Sequence, residues 1–510
     1  MTAAPPRPRL YRFGQRDRTG WLLGLQAAQC LALGFGILLG GLLLNAGAPM
    51  PGVFAPILVM SLFAFGRWNG QPMHEHAPVL LGWSAASLTG ANHWNAEPRR
   101  FRVPEGHPAA TQPALPPTLA DQSIHECAHA TWARRGRAVG AAVIRDRRER
   151  SISAVLRVHG RAFSLRENDE QERLLHLWGD ALGAFCAERG PVGRIRWLEW
   201  AAPAGLVEQL AYLAEHRSLH DESEPVAAYR ELLDHAGPMA TRHEVLVVVT
   251  VEDRRLRLRA RADRDRAAPA EEALMEEVRL LTTRLDAAGL AVDAPLTPGE
   301  VAHAWRSRLD PFRAPGVRAG RRRSLVELAG LVSVANAGPM SIYAEHDHVR
   351  VDSAVHAAYF IAEWPRLDVP PAWMEPLVLH AGGIRTIAVH YEPVAPSRSQ
   401  RAIDRDTVKL ASDEEQRSRS GFRIGARHRR AQADVLEREA ELVAGYAEFE
   451  FVGFVVVTAS DVDELERSCA EYEQVAAQSG LELRRLDGRH DLALACALPM
   501  GRGLAPQRFI

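Results

Sequence analysis

Lysine is nearly missing from this chain. Lys409 is the single one among 62 lysines and arginines, and it lies in Val408-Lys409-Leu410-Ala411-Ser412 with no glycine loop before it. No stretch matches G-x-x-x-x-G-K-[ST], which excludes the phosphate cradle of a P-loop enzyme. No G-x-S-x-G or G-x-G-x-x-G opens a helix after a strand either, and Gly501-Arg502-Gly503 is too short to serve. Cysteine is scarce: Cys30, Cys127, Cys186, Cys469 and Cys496 are odd in number, scattered and without C-x-x-C spacing. They read as reduced thiols of a cytosolic compartment rather than a disulfide framework. Excess charge is missing too. A net charge of −1 over 510 residues gives no bulk attraction to nucleic acid. The arginine-for-lysine bias, with abundant alanine, reads as the codon usage of a GC-rich bacterial genome.

What is present begins with two long apolar runs. Residues 20–44 carry no charge and only Gln26 and Gln29 as polar interruptions; residues 52–66 follow after a short break and end against Arg67. A spanning helix needs about 20 apolar residues. The first run meets that length alone, and the second meets it when Pro49, Pro51, Arg67 and Trp68 are counted into the interfaces. The expectation is a two-helix transmembrane hairpin over residues 20–68. A cleavable secretory signal fits less well, because its apolar stretch is 7–15 residues long and is not followed at once by another. Arg7, Arg9, Arg12, Arg16 and Arg18 precede the first run, and Arg67, Arg99, Arg100 and Arg102 follow the second. With an uncharged loop between the runs, the positive-inside rule places both termini in the cytoplasm. Gly36 and Gly40 form a G-x-x-x-G step, flanked by Gly34 and Gly41, that suits close helix approach.

The remainder divides by pattern. Residues 79–91 are apolar but too short to span, so an interfacial helix is expected there, and the six prolines of residues 98–117 read as a connector; 69–117 is thus helix plus linker. Strand-like runs at 138–145 and 152–159 flank a charged turn. Helical periodicity then alternates with strands: helix 168–188, strand 193–200, helices 205–217 and 225–236, strand 244–251, helix 269–288, strand 290–292 and helix 298–309. After the basic, glycine-bearing segment 314–323, read as a solvated link, the pattern repeats. Strands 357–363 and 384–391 precede a long charged helix over about 407–445. Strand 450–458, helix 460–479 (with Ser460 and Asp463 as its capping box) and strands 481–486 and 491–497 complete it. The fold class expected is α+β: cytoplasmic α/β sandwiches, ferredoxin-like and mostly antiparallel, one over residues 118–313 and one over 324–510, behind a basic cytoplasmic N-terminus at 1–19.

One short motif carries specific chemistry. His125-Glu126-Cys127-Ala128-His129 satisfies H-E-x-x-H. On a helix, its histidines sit one turn apart and can share a zinc ion, with the glutamate as general base. The apolar face around it is weak, and the alternation suits a strand equally. A strand would hold His125 and His129 about 13 Å apart, too far for one metal. No clear third ligand follows. His346, His348, His356, His380 and His390 fall on different expected elements and read as scattered surface or capping residues. Arg417, Arg419, Arg423, Arg427, Arg429 and Arg430 form a basic stretch balanced by Asp413, Glu414 and Glu415, read as a solvated helix face. No catalytic, cofactor-binding or metal-binding residue is assigned.

The pattern Tyr11-Arg12-Phe13-Gly14 with Arg18-Thr19-Gly20, followed at once by the apolar pair, resembles an actinobacterial family of PrgI-like membrane proteins of conjugation-type (type IV) secretion systems. In the second half, residues 357–366 (AAYFIAEWPR), Tyr391-Glu392-Pro393, 439–445 (EAELVAG), 455–459 (VVVTA) and 486–500 (LDGRHDLALACALPM) resemble the region preceding the ATPase core of TraC/TraE-like conjugation ATPases. In those motors the nucleotide-binding core follows the segment corresponding to Leu498-Pro499-Met500. The resemblance implies a non-enzymatic, two-pass scaffold of the bacterial inner membrane that docks a conjugation-type ATPase in trans and carries over no catalytic residue and no cofactor. Its partners would be the lipid bilayer, that ATPase, other secretion-channel subunits and further copies of itself, with nucleic-acid contact left open. Two other readings stand beside it: a membrane-bound zinc metalloprotease using His125, Glu126 and His129, and a membrane component of a type VII secretion apparatus.

Overall fold

The computed structural model describes residues 25, 27–68, 71–96, 115–134, 137–160, 163–203, 223–236, 241–262, 269–313, 334–419 and 425–502. Helix α1 (Ala27–Asn45) turns through Gly47 into α2 (Met50–Phe65). The two lie antiparallel. Gln29 Nε2 donates to the Ala64 carbonyl at 3.0 Å, and a Cβ on Gly40 would stand 2.8 Å from the Val53 carbonyl oxygen. A Cβ on Gly36 would meet Met60 Cβ at 2.9 Å, whereas Gly34 and Gly41 face open space. Only Gly36 and Gly40 of the four therefore bring the backbones together. Among the described residues α1 is the one helix long and apolar enough to cross a membrane; α2, at 16 residues, is apolar but shorter. Leu31, Phe35, Ile37, Leu42, Phe54, Leu58 and Leu62 stand exposed around both. An apolar surface on all sides of a helix pair suits lipid rather than water.

A small ribbon, β1 (Arg67–Trp68) with β2 (Gln71–Pro72), leads into α3 (Met73–Thr89). That helix begins earlier than the apolar run 79–91 suggests and ends on Gly90, which takes the left-handed conformation at φ +70°. It buries His74 and His76. Next, β3 (His93–Asn95) enters the main sheet. The following elements are β4 (Gln122–Arg134), β5 (Arg137–Asp146), β6 (Ser151–His159), α4 (Asn168–Gly183), β7 (Val192–Pro203), α5 (Glu224–Ala236), β8 (Thr241–Glu252), α6 (Asp253–Ala262), α7 (Ala270–Ala287), β9 (Ala291–Val292) and α8 (Pro298–Leu309). Helix α8 is capped by Thr297 and Glu300 in a reciprocal capping box.

Beyond residue 334 come β10 (Ser341–Ala344), β11 (Val349–Val351), β12 (Ala354–Glu363), α9 (Glu375–Val378), β13 (Ile384–Val394), α10 (Pro396–Arg419), α11 (Ala426–Val443), β14 (Glu448–Ala459), α12 (Val462–Gln478), β15 (Glu482–Arg485) and α13 (His490–Ala497). Three expectations need correction here. The single helix over 407–445 is two helices, α10 and α11, folded back on each other by Gln432–Glu414 and Arg438–Asp406 contacts. The stretch 491–497 is a helix, since its alternating residues Ala493 to Ala497 are buried on every side instead of on alternate faces. The N-cap of α12 is Asp461, whose carboxylate accepts from Glu464 N at 2.9 Å, while Ser460 bonds the Glu464 side chain.

All strands except the ribbon form one 13-stranded antiparallel sheet in the order β3-β10-β11-β12-β14-β13-β7-β8-β6-β5-β4, with β15 on β12 and β9 on β6. Segments 118–313 and 324–510 join in it through β7 and β13, which pair over seven positions. The two halves repeat one another. In each, a hairpin (β5–β6, β11–β12) is followed by a central strand, an inserted helical segment, the next strand, a helix packed on the sheet, a short strand returning to the hairpin, and a terminal helix. The likeness reaches single residues. The turns before β6 and β12 place Arg150 and Asp352 at φ 52°, and α7 and α12 are followed by left-handed Gly289 and Gly480. Thr250 and Thr458 occupy matching ladder positions, opposite Ser153 and His356. The approximate two-fold relation passes through the facing pair Leu198–Ala388.

The mixed helix-and-sheet class and the antiparallel sheet are as expected, and helices cover the sheet on both faces. One face of the sheet carries α4, α7 and α12; Trp197 touches the clusters beneath both halves. The other carries α8, α13 and residues 498–500, packed over Ile144, Val155, Leu198, Ala388 and Phe454. Covered on both faces, the central strands are buried almost throughout: eight of the nine residues of β6 are buried, Ser151, Ser153 and Arg157 among them. The expected helix 205–217, the basic segment 314–323 and most of the connector 98–117 lie outside the described residues.

Candidate functional site

The H-E-x-x-H motif is strand. His125 and Glu126 face Val143 and Ala142 of β5 in register, and the ladder shifts between Glu126 and Thr131. His125 Nε2 lies 2.9 Å from Glu271 Oε1 on α7, which also attracts Arg145. Glu126 points to the other side and fills the space over Gly140, where a Cβ would overlap its carboxylate. With a rise of about 3.3 Å per residue, the strand separates positions 125 and 129 by about 13 Å. The one-turn spacing that lets two histidines share a zinc ion is not formed, because β-pairing with β5 overrides any helical preference of these five residues.

The remaining histidines disperse over separate elements, but they are not the surface or capping residues expected: His348, His356 and His390 are buried. His356 is fully buried, with Nδ1 2.9 Å from Thr458 Oγ1 and Nε2 2.9 Å from the Leu309 carbonyl. Burial pulls its pKa down from 6.5 to about 4. His390 places Nε2 2.9 Å from the Cys496 carbonyl, and burial beside Arg196 and Arg194 holds it well below the usual imidazole range. Both are therefore neutral core residues.

Polar chemistry concentrates in two places. The first is where the membrane-proximal segment meets the sheet. Strand β3 pairs with β10 at Trp94–Ile342, and Ala96 N donates to the Met340 carbonyl at 2.8 Å. Trp83 of α3 stands 5.2 Å from the His346 ring, and Val79 and Trp83 close on Gly488, left-handed at φ +69°. Gly488 N bonds the His346 carbonyl at 2.6 Å. Helix α3 is thereby locked to the β10–β11 turn and to the start of α13.

The second is the C-terminal strap over the sheet. Trp305 Nε1 donates to the Pro499 carbonyl at 3.0 Å, and Arg194 to the Gly501 carbonyl at 3.2 Å. Arg196, wholly buried, donates to the Arg502 carbonyl, and burial lowers its pKa to about 9. Arg502 grips Asp146 with two bonds of 2.9 and 3.1 Å and reaches the Thr118 and Ala120 carbonyls at 2.6 Å. Arg194 is shared between Glu392 at 3.0 Å and Glu149 at 3.4 Å. Glu149 also lines an open cleft of about 640 Å³, with Arg150, Glu252, Arg254, Arg257 and Leu258. No protein-family model matches the chain, and no curated protein matches it.

Sequence reasoning passed over Arg194 and Arg196, met Arg502 only inside a short glycine-bearing triplet, and set His346 and His348 of the β10–β11 turn aside as scattered residues. The signal for the strap was weak, since isolated arginines in alternating strands read as solvent-facing. The turn had a better one: Glu345-His346-Asp347-His348 is a run of four metal- and proton-binding residues between two short strands.

Proposed function

We propose that this chain is a non-enzymatic scaffold of a type IV secretion or conjugation-like apparatus, two-pass in the bacterial inner membrane with both termini cytoplasmic, that holds a separate ATPase at the membrane. The observation that carries the reading is the packed and strand-paired joint between the membrane-proximal segment and the sheet. Through α3 and β3 the apolar hairpin leads directly into a large folded platform, so a partner bound to the platform is held in a defined position against the bilayer. A 640 Å³ cleft lined by Arg150, Arg254 and Arg257 with Glu149 and Glu252 lies beside the strap. In the motors that this chain resembles, the equivalent of the strap leads on into the ATPase core. That edge is accordingly the proposed docking face for the ATPase in trans and for neighbouring channel subunits.

Affinity purification from crosslinked native membranes tests the proposal. The full chain should recover a conjugation-type ATPase, and Arg254→Glu with Arg257→Glu should lower its recovery at least tenfold while the chain stays folded in the membrane. Recovery of no ATPase with the unaltered chain refutes the scaffold reading. Recovery unaffected by the two charge reversals leaves a scaffold but moves the docking face elsewhere.

A further inference from the structure

We propose that the β10–β11 turn is a binding site for a divalent transition-metal ion of the zinc type, built from Glu345, Asp347 and His348. Ligand atoms of these three residues lie within 4.8 Å of one another. The carboxylates alone would make only an acidic turn. The decisive observation is His348. Its side chain is 5% exposed, its Nδ1 lies 2.9 Å from Asp347 Oδ1, and its Nε2 lies 3.6 Å from Glu345 Oε1. That Nε2 is buried without a hydrogen-bond partner. With Nδ1 donating to Asp347, Nε2 carries the lone pair and stands 3.6 Å from the Glu345 carboxylate. Such a carboxylate–imidazole pair fixes the tautomer that a metal requires.

The gap has the right size for an ion. Zinc binds imidazole nitrogen and carboxylate oxygen at about 2.0–2.1 Å, and two such bonds span 3.6 Å at an angle of about 120°. Glu345 and His348 would bind the ion directly, Asp347 would brace the imidazole, and water would complete the coordination. Imidazole with carboxylate suits zinc and its first-row neighbours better than magnesium. The surrounding charge is compatible: the nearby guanidinium of Arg485 is engaged by Glu466 at 2.6 Å and by the Asp347 carbonyl at 2.8 Å. The site also adjoins the joint described above, since His346 of the same turn rests against Trp83 of α3. An ion here would stiffen the turn that holds the membrane-proximal helix.

The test is calorimetric titration of the full chain in detergent micelles, stripped with EDTA, using zinc chloride and, separately, magnesium chloride at pH 7. One equivalent of zinc should bind. Glu345→Gln alters a half-exposed carboxylate and should weaken binding at least tenfold with the circular dichroism spectrum unchanged. Asp347→Asn should weaken it by about ten- to a hundredfold, the usual effect of losing a carboxylate behind a ligating histidine. His125→Gln, at the H-E-x-x-H strand, should leave zinc binding as it was. Absence of stoichiometric zinc binding, zinc affinity indifferent to Glu345→Gln, or magnesium binding as tightly as zinc would each overturn the site.

Discussion

At the scale of single residues, the interior is organised around buried charge with few partners to spare. Glu244 accepts from Arg157 at 2.9 Å and forms an ion pair with Arg308 at 3.0 Å. Burial opposes its ionisation, but Arg308 and Arg157 outweigh that and hold its pKa down at about 2. Glu244→Gln leaves buried Arg308 without its carboxylate and Arg157 with Glu300 alone at 3.8 Å, and should cost about 3–5 kcal/mol in denaturant unfolding, as breaking a buried pair does. The sign of the pH dependence follows from the same groups. The folded-state pKa of Glu244 lies below its ordinary 4.5, so the stability it contributes is complete above 4.5 and is lost as pH falls toward about 2. His356 is lowered from 6.5 to about 4. The unfolded chain therefore takes up that proton first, and stability drains away as pH falls from 6.5 to 4, by a total on the order of 3 kcal/mol. Unfolding free energies measured every half pH unit in detergent should show both windows, and His356→Gln should flatten the upper one. An unchanged slope between pH 6.5 and 4 in that variant would assign the loss to other histidines.

At the scale of elements, the contact between α1 and α2 depends on two missing side chains. A Cβ at Gly40 meets the Val53 carbonyl oxygen at 2.8 Å and Ile57 at 3.1 Å, while one at Gly41 meets nothing within 4 Å. Gly40→Val should separate the helices and destabilise the hairpin by about 1–3 kcal/mol, the usual cost of overpacking. Gly41→Val should be nearly silent. Thermal unfolding of both variants in micelles distinguishes them, and equal effects would show that the glycines act through helix propensity instead of contact. The same reasoning applies to the β12–β14 face, where a Cβ at Gly453 would fall 2.4 Å from Ile361 Cδ1.

At the scale of the whole molecule, one sheet built from two similar halves has no natural seam. Strands β7 and β13 lie back to back at the two-fold centre, and each would expose a long unpaired edge if the halves were parted. A chain expressed as two pieces, 1–313 and 324–510, should yield folded material in detergent only when both are made together, and the pieces should then co-purify at one to one. Independent monomeric folding of either piece would show that β7–β13 pairing contributes little. The path of the chain adds a second tie. Strands β3 and β4, consecutive in sequence, occupy opposite ends of the 11-strand path, so residues 96–122 connect points about 50 Å apart at 4.8 Å per strand.

Local patterns determined most of the elements. The apolar runs became α1 and α2, the valine-rich runs at 247–251 and 455–457 became buried central strands, and the expected span 298–309 is the observed helix α8. These features depend on neighbours a few residues away, which a sequence displays directly. Distant partners decided the rest. Residues 125–129, whose pattern suited helix and strand alike, are strand because β5 pairs on either side of the shift between Glu126 and Thr131. The apolar run 491–497 is helix because the sheet is already complete beside it and a helix buries all its sides. Tertiary structure alone placed β3 on β10, joined the two halves through Leu198 and Ala388, and turned His348 toward Glu345. Pairing across hundreds of residues and the direction of a buried side chain are set by the packing that surrounds them, and no periodicity along the chain records that packing.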